Sequence, residues 1–210
     1  MDGWRRRAGR WALIHDAPLV PSFFSLVELM FTMAIAATLT AMAIPALVTG
    51  LDDARAAGAA RDLAARLGEA RMDAVRRSTF VGLRFEPASP DYLITKVVDG
   101  NDNGLRTTEL QRGIDLTVTP PQPLSWQYPG VVFGMLAGVP EVDGTAPSSN
   151  DGVRVGVSRI LSMNPNGSSS SGTLYVHGRQ RSQYAVRVLG ATGRVRVFKY
   201  DWNGRRWIQQ

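Results

Sequence analysis

From Leu29 to Leu51 the chain carries no charged side chain. The stretch is apolar on every side, without the alternation of a strand or the polar face of a surface helix. About 20 apolar residues in a helix span a bilayer core of ~30 Å. The spacing therefore predicts a membrane-spanning helix, with Glu28 as the sole charge between residues 24 and 49. A periodic pattern follows. Ala56, Ala60, Leu63, Leu67, Ala70 and Ala74 recur at intervals of four and three, which marks one helical face. One continuous helix over 24–77 is predicted, apolar throughout at first and amphipathic in its second half. Asp62–Arg66 and Asp73–Arg77 are spaced for i,i+4 ion pairs. The small alanines suit close packing on a sheet, with a coiled coil as the alternative.

Beyond Ser78 the period changes to two. Strands are expected over Phe80 to Glu86, Tyr92 to Val98, Ile114 to Val118, Val131 to Met135, Val153 to Ile160, Thr173 to His177, Tyr184 to Leu189 and Arg194 to Tyr200. Gly, Pro and Asn clusters separate them, and no helical pattern intervenes to carry parallel crossovers, so antiparallel pairing is predicted. Pro120-Pro-Gln-Pro reads as a stiff connector, and Gly138 to Asn150 as a polar, mobile loop. The fold class is α+β, a long amino-terminal helix packed on a small antiparallel β domain. Its divisions are 1–23, 24–50, 51–77 and 78–210.

Charge changes the picture through its distribution. Residues 1–23 carry four arginines and two aspartates, residues 50–150 ten basic and thirteen acidic side chains, and residues 151–210 ten basic and two acidic. Arg5, Arg6, Arg7 and Arg10 ahead of the apolar run keep the amino terminus cytoplasmic. A secretory signal peptide also has a basic start. However, its apolar core is shorter, and Thr49-Gly-Leu-Asp-Asp is a poor cleavage site. The absence of cysteine excludes disulfides, thiol nucleophiles and Cys-type metal sites. The serine-rich loop and His177 do not compose a catalytic triad, so no enzyme is indicated.

Glu28 is costly in an apolar setting unless a cation meets it. Phe24-Ser-Leu-Val-Glu-Leu, with Pro45 seventeen residues after Glu28, resembles the class III signal of type IV pilins and type II secretion pseudopilins. The resemblance implies that residues 1–23 are a leader removed by a prepilin peptidase before Phe24, whose new amino group is N-methylated. Phe23 stands where that family has glycine. It further implies that the Phe24 ammonium of one subunit meets Glu28 of its neighbour in a filament core, and that Pro45 loosens the helix on assembly.

The remainder resembles the GspH/FimT branch of that superfamily. The carrying residues are Ala-Arg-Met-Asp-Ala at 70–74, Val81 and Leu83, Asp99 to Gly104, Asn164-Pro-Asn-Gly and Gly193-Arg-Val-Arg-Val. The resemblance implies a minor pilin or pseudopilin near a filament tip, single-pass in the inner membrane. Its carboxyl-terminal domain would lie in the periplasm or on an extracellular filament, and other major and minor subunits would be its partners.

Two further features carry candidate chemistry. Asp99, Asn101, Asn103 and Gly104 match the first half of a calcium loop, but the twelfth position is Leu110, with Glu109 one short. An Asx-rich turn needs no metal to explain them and is the preferred reading, and no other cofactor is indicated. Arg179, Arg181, Arg187, Arg194, Arg196, Lys199, Arg205 and Arg206 cluster near the end of the chain, with Tyr200, Trp202 and Trp207 among them. Arginines interleaved with aromatics suit phosphate-backbone binding and base stacking. Gly193-Arg-Val-Arg also resembles an element of DNA-uptake minor pilins. DNA is therefore a candidate partner; a solvated face or a subunit contact is the other reading.

Overall fold

The computed structural model describes residues 24–89, 91–147 and 149–210. The expected leader, Phe23 included, lies outside them. The chain divides into two compact units, Met1–Ala43 and Ile44–Gln210. Helix α1 covers Leu26–Arg77, starting two residues later than its periodicity predicts because Ser25 is its cap. The Ser25 hydroxyl accepts the Glu28 amide hydrogen at 3.1 Å and satisfies a donor with no partner inside the helix.

In the first unit every described residue is exposed, including Phe24, Leu26, Leu29, Phe31, Met33 and Leu39. The hydroxyls of Thr32, Thr38 and Thr40 bond back to the carbonyls of Leu29, Ala34 and Ala36 at 2.7–2.9 Å. These threonines thus present no unsatisfied polar group to an apolar solvent.

In the second unit α1 continues unbroken through Pro45. The predicted face is buried, all six positions being fully covered, and Ala57 and Ala59 join it. What covers it is sheet, not a second helix. Eleven strands follow: β1 (Val81–Ala88), β2 (Asp91–Val98), β3 (Leu116–Thr117), β4 (Gln122–Pro123), β5 (Val132–Phe133), β6 (Val153–Arg154), β7 (Ile160–Met163), β8 (Gly172–His177), β9 (Gln183–Leu189), β10 (Arg194–Asp201) and β11 (Arg206–Gln209). Two short helices, α2 (Thr107–Arg112) and α3 (Leu124–Gln127), interrupt them.

The strands form two sheets. The first runs β3-β2-β1-β7 with β4 also on β2; the second runs β11-β10-β9-β8-β5 with β6 also on β8. All pairings between named strands are antiparallel. Val81, Leu83, Phe85, Ile94 and Val98 of the first sheet, Leu174, Val176, Val186 and Val188 of the second, and the alanine face of α1 make one core.

Several expectations are corrected. The single strand over Val153 to Ile160 is two strands in different sheets. The chain turns through Gly156 and Arg159, both at positive φ, and leaves Val157 fully exposed. The Pro120-Pro-Gln-Pro connector contains β4 and forms an edge of the first sheet. The predicted mobile loop is fastened over the second sheet: Val139 is buried, Trp207 Nε1 donates to the Pro140 carbonyl at 2.9 Å, and the Val142 amide donates to Tyr175 Oη at 3.1 Å. Asp62–Arg66 forms as expected at 2.8 Å. Asp73, by contrast, pairs with Arg76 and Lys96 rather than Arg77, because Lys96 projects from β2 toward the helix and also reaches Glu69 at 2.8 Å.

The carboxylates following the apolar run fix how α1 sits on the second sheet. Asp52 is 7% exposed and accepts the backbone amides of Arg179 (2.7 Å) and Gln180 (3.0 Å) in the β8–β9 turn. Asp53 accepts the Tyr184 hydroxyl at 3.0 Å and the Lys199 ammonium at 2.7 Å. Gly178 is needed for this approach, since a Cβ there would lie 2.3 Å from an Asp52 oxygen.

Two outcomes follow. Gly178→Ala lowers stability by about 1–3 kcal/mol in chemical denaturation. The double variant with Asp52→Ala costs less than the sum of the two single changes, because the shortened side chain removes the clash. Separately, the bond from Lys96 holds the Asp73 carboxyl below its ordinary 3.8. That contribution is complete above pH 3.8 and is lost as pH falls through the lower folded value. The stability gap between the parent and Lys96→Met, followed by acid titration, therefore narrows below pH 3.8.

Candidate functional site

The functional candidates fall into three places. The first is the start of α1. Phe24 and Glu28 are both exposed there, and no described ion pair involves Glu28. Pro45 lies within the helix without ending it, and the Thr49 hydroxyl caps the Pro45 carbonyl at 3.1 Å. Among the described residues this is the one helix long and apolar enough to cross a membrane.

The second is the basic set, which the structure does not bring together as one face. Strand parity separates it. Arg196 lies directly opposite Arg187 across the β9–β10 pair, and Arg194 is two residues away on the same face. Val195 and Val197 lie on the other face, against the core, as the alternation predicts. Lys199 shares that inner parity and is engaged by Asp53, whose carboxylate holds the ammonium above its ordinary 10.5. It is therefore unavailable for an outward face.

Arg179 and Arg181 belong to the β8–β9 turn, and Arg205 and Arg206 to the β10–β11 turn and the start of β11. All four are exposed. These two turns share one end of the second sheet, because β9 is antiparallel to both β8 and β10. They also touch. The Arg181 guanidinium lies 4.6 Å from the Trp202 ring centroid, and Trp202 Nε1 donates to the Arg181 carbonyl.

The Arg187–Arg194–Arg196 trio lies toward the opposite end. There the β9–β10 turn meets α1 at Arg71, whose Nε donates to the Gly167 carbonyl at 2.9 Å and flanks Gly193. Arg71 is ~27 Å further along the helix than Asp53, at 1.5 Å per residue. Reading the arginines by their closeness in sequence merges two sites that the hairpins hold apart. The sequence does hint at the anchoring residues Asp52 and Asp53, since they are the first charges after the apolar run. Their partners, more than 120 residues away, are not visible in it.

The third place is the Asp99 loop. Its carboxylate accepts the amides of Asn101 (2.9 Å), Asp102 (3.0 Å) and Gly104 (2.6 Å). The side-chain amides of Asn101 and Asn103 donate to Glu109 at 3.3 and 3.0 Å, and Asp115 accepts the amides of Gly100 and Arg106. The candidate ligands are thus occupied in closing a turn. Among the described residues no group of three or more His, Asp or Glu side chains is placed to hold a metal ion.

A family model for the type II transport protein GspH matches residues 59–193. No curated protein and no solved structure matches. The matched stretch runs from Ala59 on the buried face of α1 to the glycine before Arg194. It covers α1 from Ala59, the first sheet and strands β5, β6, β8 and β9 of the second, and excludes the earlier part of α1 and the last two strands. With well over half its length matched, this chain belongs to the GspH family, whose members are pilin-like subunits of type II secretion systems or type IV pili.

Proposed function

We propose that this chain is a minor pilin or pseudopilin stored in the inner membrane by Leu29–Leu51. It is released from its leader by a prepilin peptidase and drawn into a filament through the apolar half of α1. The observation that carries the reading is the two-part exposure of that helix. Its residues from Leu26 to Leu51 are uncovered on all sides, whereas the face from Ala56 to Ala74 is sealed by sheet. An uncovered apolar surface of that length needs lipid or other helices around it.

Within that surface Glu28 recruits the Phe24 ammonium of a neighbouring subunit. In a low-dielectric filament core the pair sets axial register, and either charge alone is penalised. Arg5, Arg6, Arg7 and Arg10 keep the leader cytoplasmic, which places the β domain in the periplasm or on the exterior. The work of the protein is assembly with other major and minor subunits.

Mass spectrometry of the purified protein is expected to find N-methylated Phe24 as the mature terminus, and a terminus elsewhere would refute this processing. Glu28→Ala should leave membrane insertion intact and reduce recovery of the chain in sheared filaments at least tenfold, as loss of a buried ion-pair partner at ~3–5 kcal/mol requires.

A second reading, DNA binding for uptake, is favoured by one feature. Arg187 and Arg196 face each other directly across β9–β10 with Arg194 beside them, a like-charge arrangement that a phosphate backbone would relieve. If it holds, Arg194→Ala with Arg196→Ala lowers the slope of log K against log salt by about 2 for duplex DNA, measured on the full chain in detergent. Absence of binding at low salt excludes it.

A further inference from the structure

The β8–β9 and β10–β11 turns lie beside the point where the apolar run ends. Ile44, Leu47, Val48 and Leu51 are exposed apolar residues, and Asp52 and Asp53 follow at once. Asp52 is bonded to the amides of Arg179 and Gln180, and Asp53 to Lys199 and Tyr184. One residue of helix advances ~1.5 Å. The interfacial layer of a bilayer is roughly 5–8 Å deep on each side of the hydrocarbon. A helix that leaves the hydrocarbon at Leu51 therefore brings these turns to headgroup depth.

The chemistry of that end matches the surface it would meet. Arg179, Arg181, Arg205 and Arg206 are exposed, and none is in an ion pair among the described residues. The only acid of the two turns, Asp201, is occupied by the amides of Asn203 and Gly204 at 3.1 Å. Asp52 and Asp53 face the sheet, so their charge is spent on the domain itself. Trp202 is half-buried with its ring under the Arg181 guanidinium. An indole with a satisfied N–H beside exposed cations is the side-chain mixture favoured at a membrane–water boundary.

We propose that this end of the second sheet is a lipid-facing surface. Its four arginines bind the phosphates of anionic phospholipids in the leaflet from which α1 emerges, with Trp202 seated among the headgroups. Guanidinium groups suit the task because each can grip a phosphate through two parallel hydrogen bonds. The inference rests on the membrane-anchoring reading given above. It assigns these arginines to lipid and leaves only the distal trio for nucleic acid. At ~3.3 Å per residue along β10, Arg196, with Arg187 opposite it, lies about 20 Å from Trp202 and Arg194 about 26 Å, beyond the ~8–10 Å reach of surface charge at physiological salt.

The chain has no cysteine, so Asn203→Cys and Thr192→Cys each provide a unique attachment point for a nitroxide. Asn203 lies in the β10–β11 turn and Thr192 in the β9–β10 turn. The full chain is reconstituted into phosphatidylcholine vesicles with or without phosphatidylglycerol. Accessibility of each label to a water-soluble nickel relaxer is then read by electron paramagnetic resonance. Phosphatidylglycerol is expected to lower accessibility at position 203 roughly twofold and to leave position 192 unchanged. Replacing Arg179, Arg181, Arg205 and Arg206 by Gln abolishes the change, with an unaltered spectrum at 192 reporting an intact fold.

Flotation with phosphatidylcholine alone separates the two readings. A chain that floats but whose label at 203 ignores phosphatidylglycerol overturns the lipid surface and leaves the anchor standing. A chain that does not float overturns both. A label at 203 that responds to added duplex DNA and not to phosphatidylglycerol overturns the proposal in favour of nucleic acid.

Discussion

Asp52 is a buried carboxylate with no ion-pair partner among the described residues, and such a group is tolerable only if hydrogen bonds replace its hydration. The β8–β9 turn supplies them from two successive backbone amides, so the bond is to the fold of the turn and not to a side chain that could be swapped. Much of the second unit follows from it. It fixes the axial position of α1 on the second sheet, brings Lys199 over Asp53, and settles which group of arginines lies beside the end of the apolar run. It also forbids a side chain at Gly178. The alanine face then permits close approach along the rest of the seam, and Lys96 fastens the first sheet to the helix through Asp73 and Glu69.

The long helix was legible because its two halves have different apolar periods, one all-round and one confined to a stripe. β1, β2, β8, β9 and β10 were legible as alternating runs. The division into two sheets was not. Val153 to Ser158 alternates and the phase slips only at Arg159-Ile160, while the positive φ values at Gly156 and Arg159 turn the chain from one sheet to the other. β11 escaped because Arg206-Trp-Ile-Gln is too short to show a period. α2 escaped for a similar reason, six residues ended by a left-handed Gly113. The segment over the second sheet looked mobile because its polar residues outnumber its anchors, yet Val139 and the Pro140 carbonyl are enough to hold it.

For the candidate site the sequence contained more than closeness along the chain revealed. Arg194 and Arg196 share a parity that Lys199 does not, which already placed Lys199 on the opposite face. That its partner would be Asp53, almost 150 residues earlier, depends on the helix register and could not be read locally. The Asp99 motif shows the reverse case. Its spacing suggested ligands, but an Asp and two Asn at alternate positions also close a turn on their own amides, and here Glu109 completes that closure.

The edge of the first sheet has a consequence for life at high density. β3 and β4 are two residues each, and the segment joining and forming them carries Pro120, Pro121 and Pro123, three positions with no amide hydrogen to offer a passing strand. A subunit held in two dimensions beside many similar copies meets them far more often than one in dilute solution. Interrupted hydrogen-bonding capacity on this margin disfavours strand-to-strand zipping between such crowded neighbours.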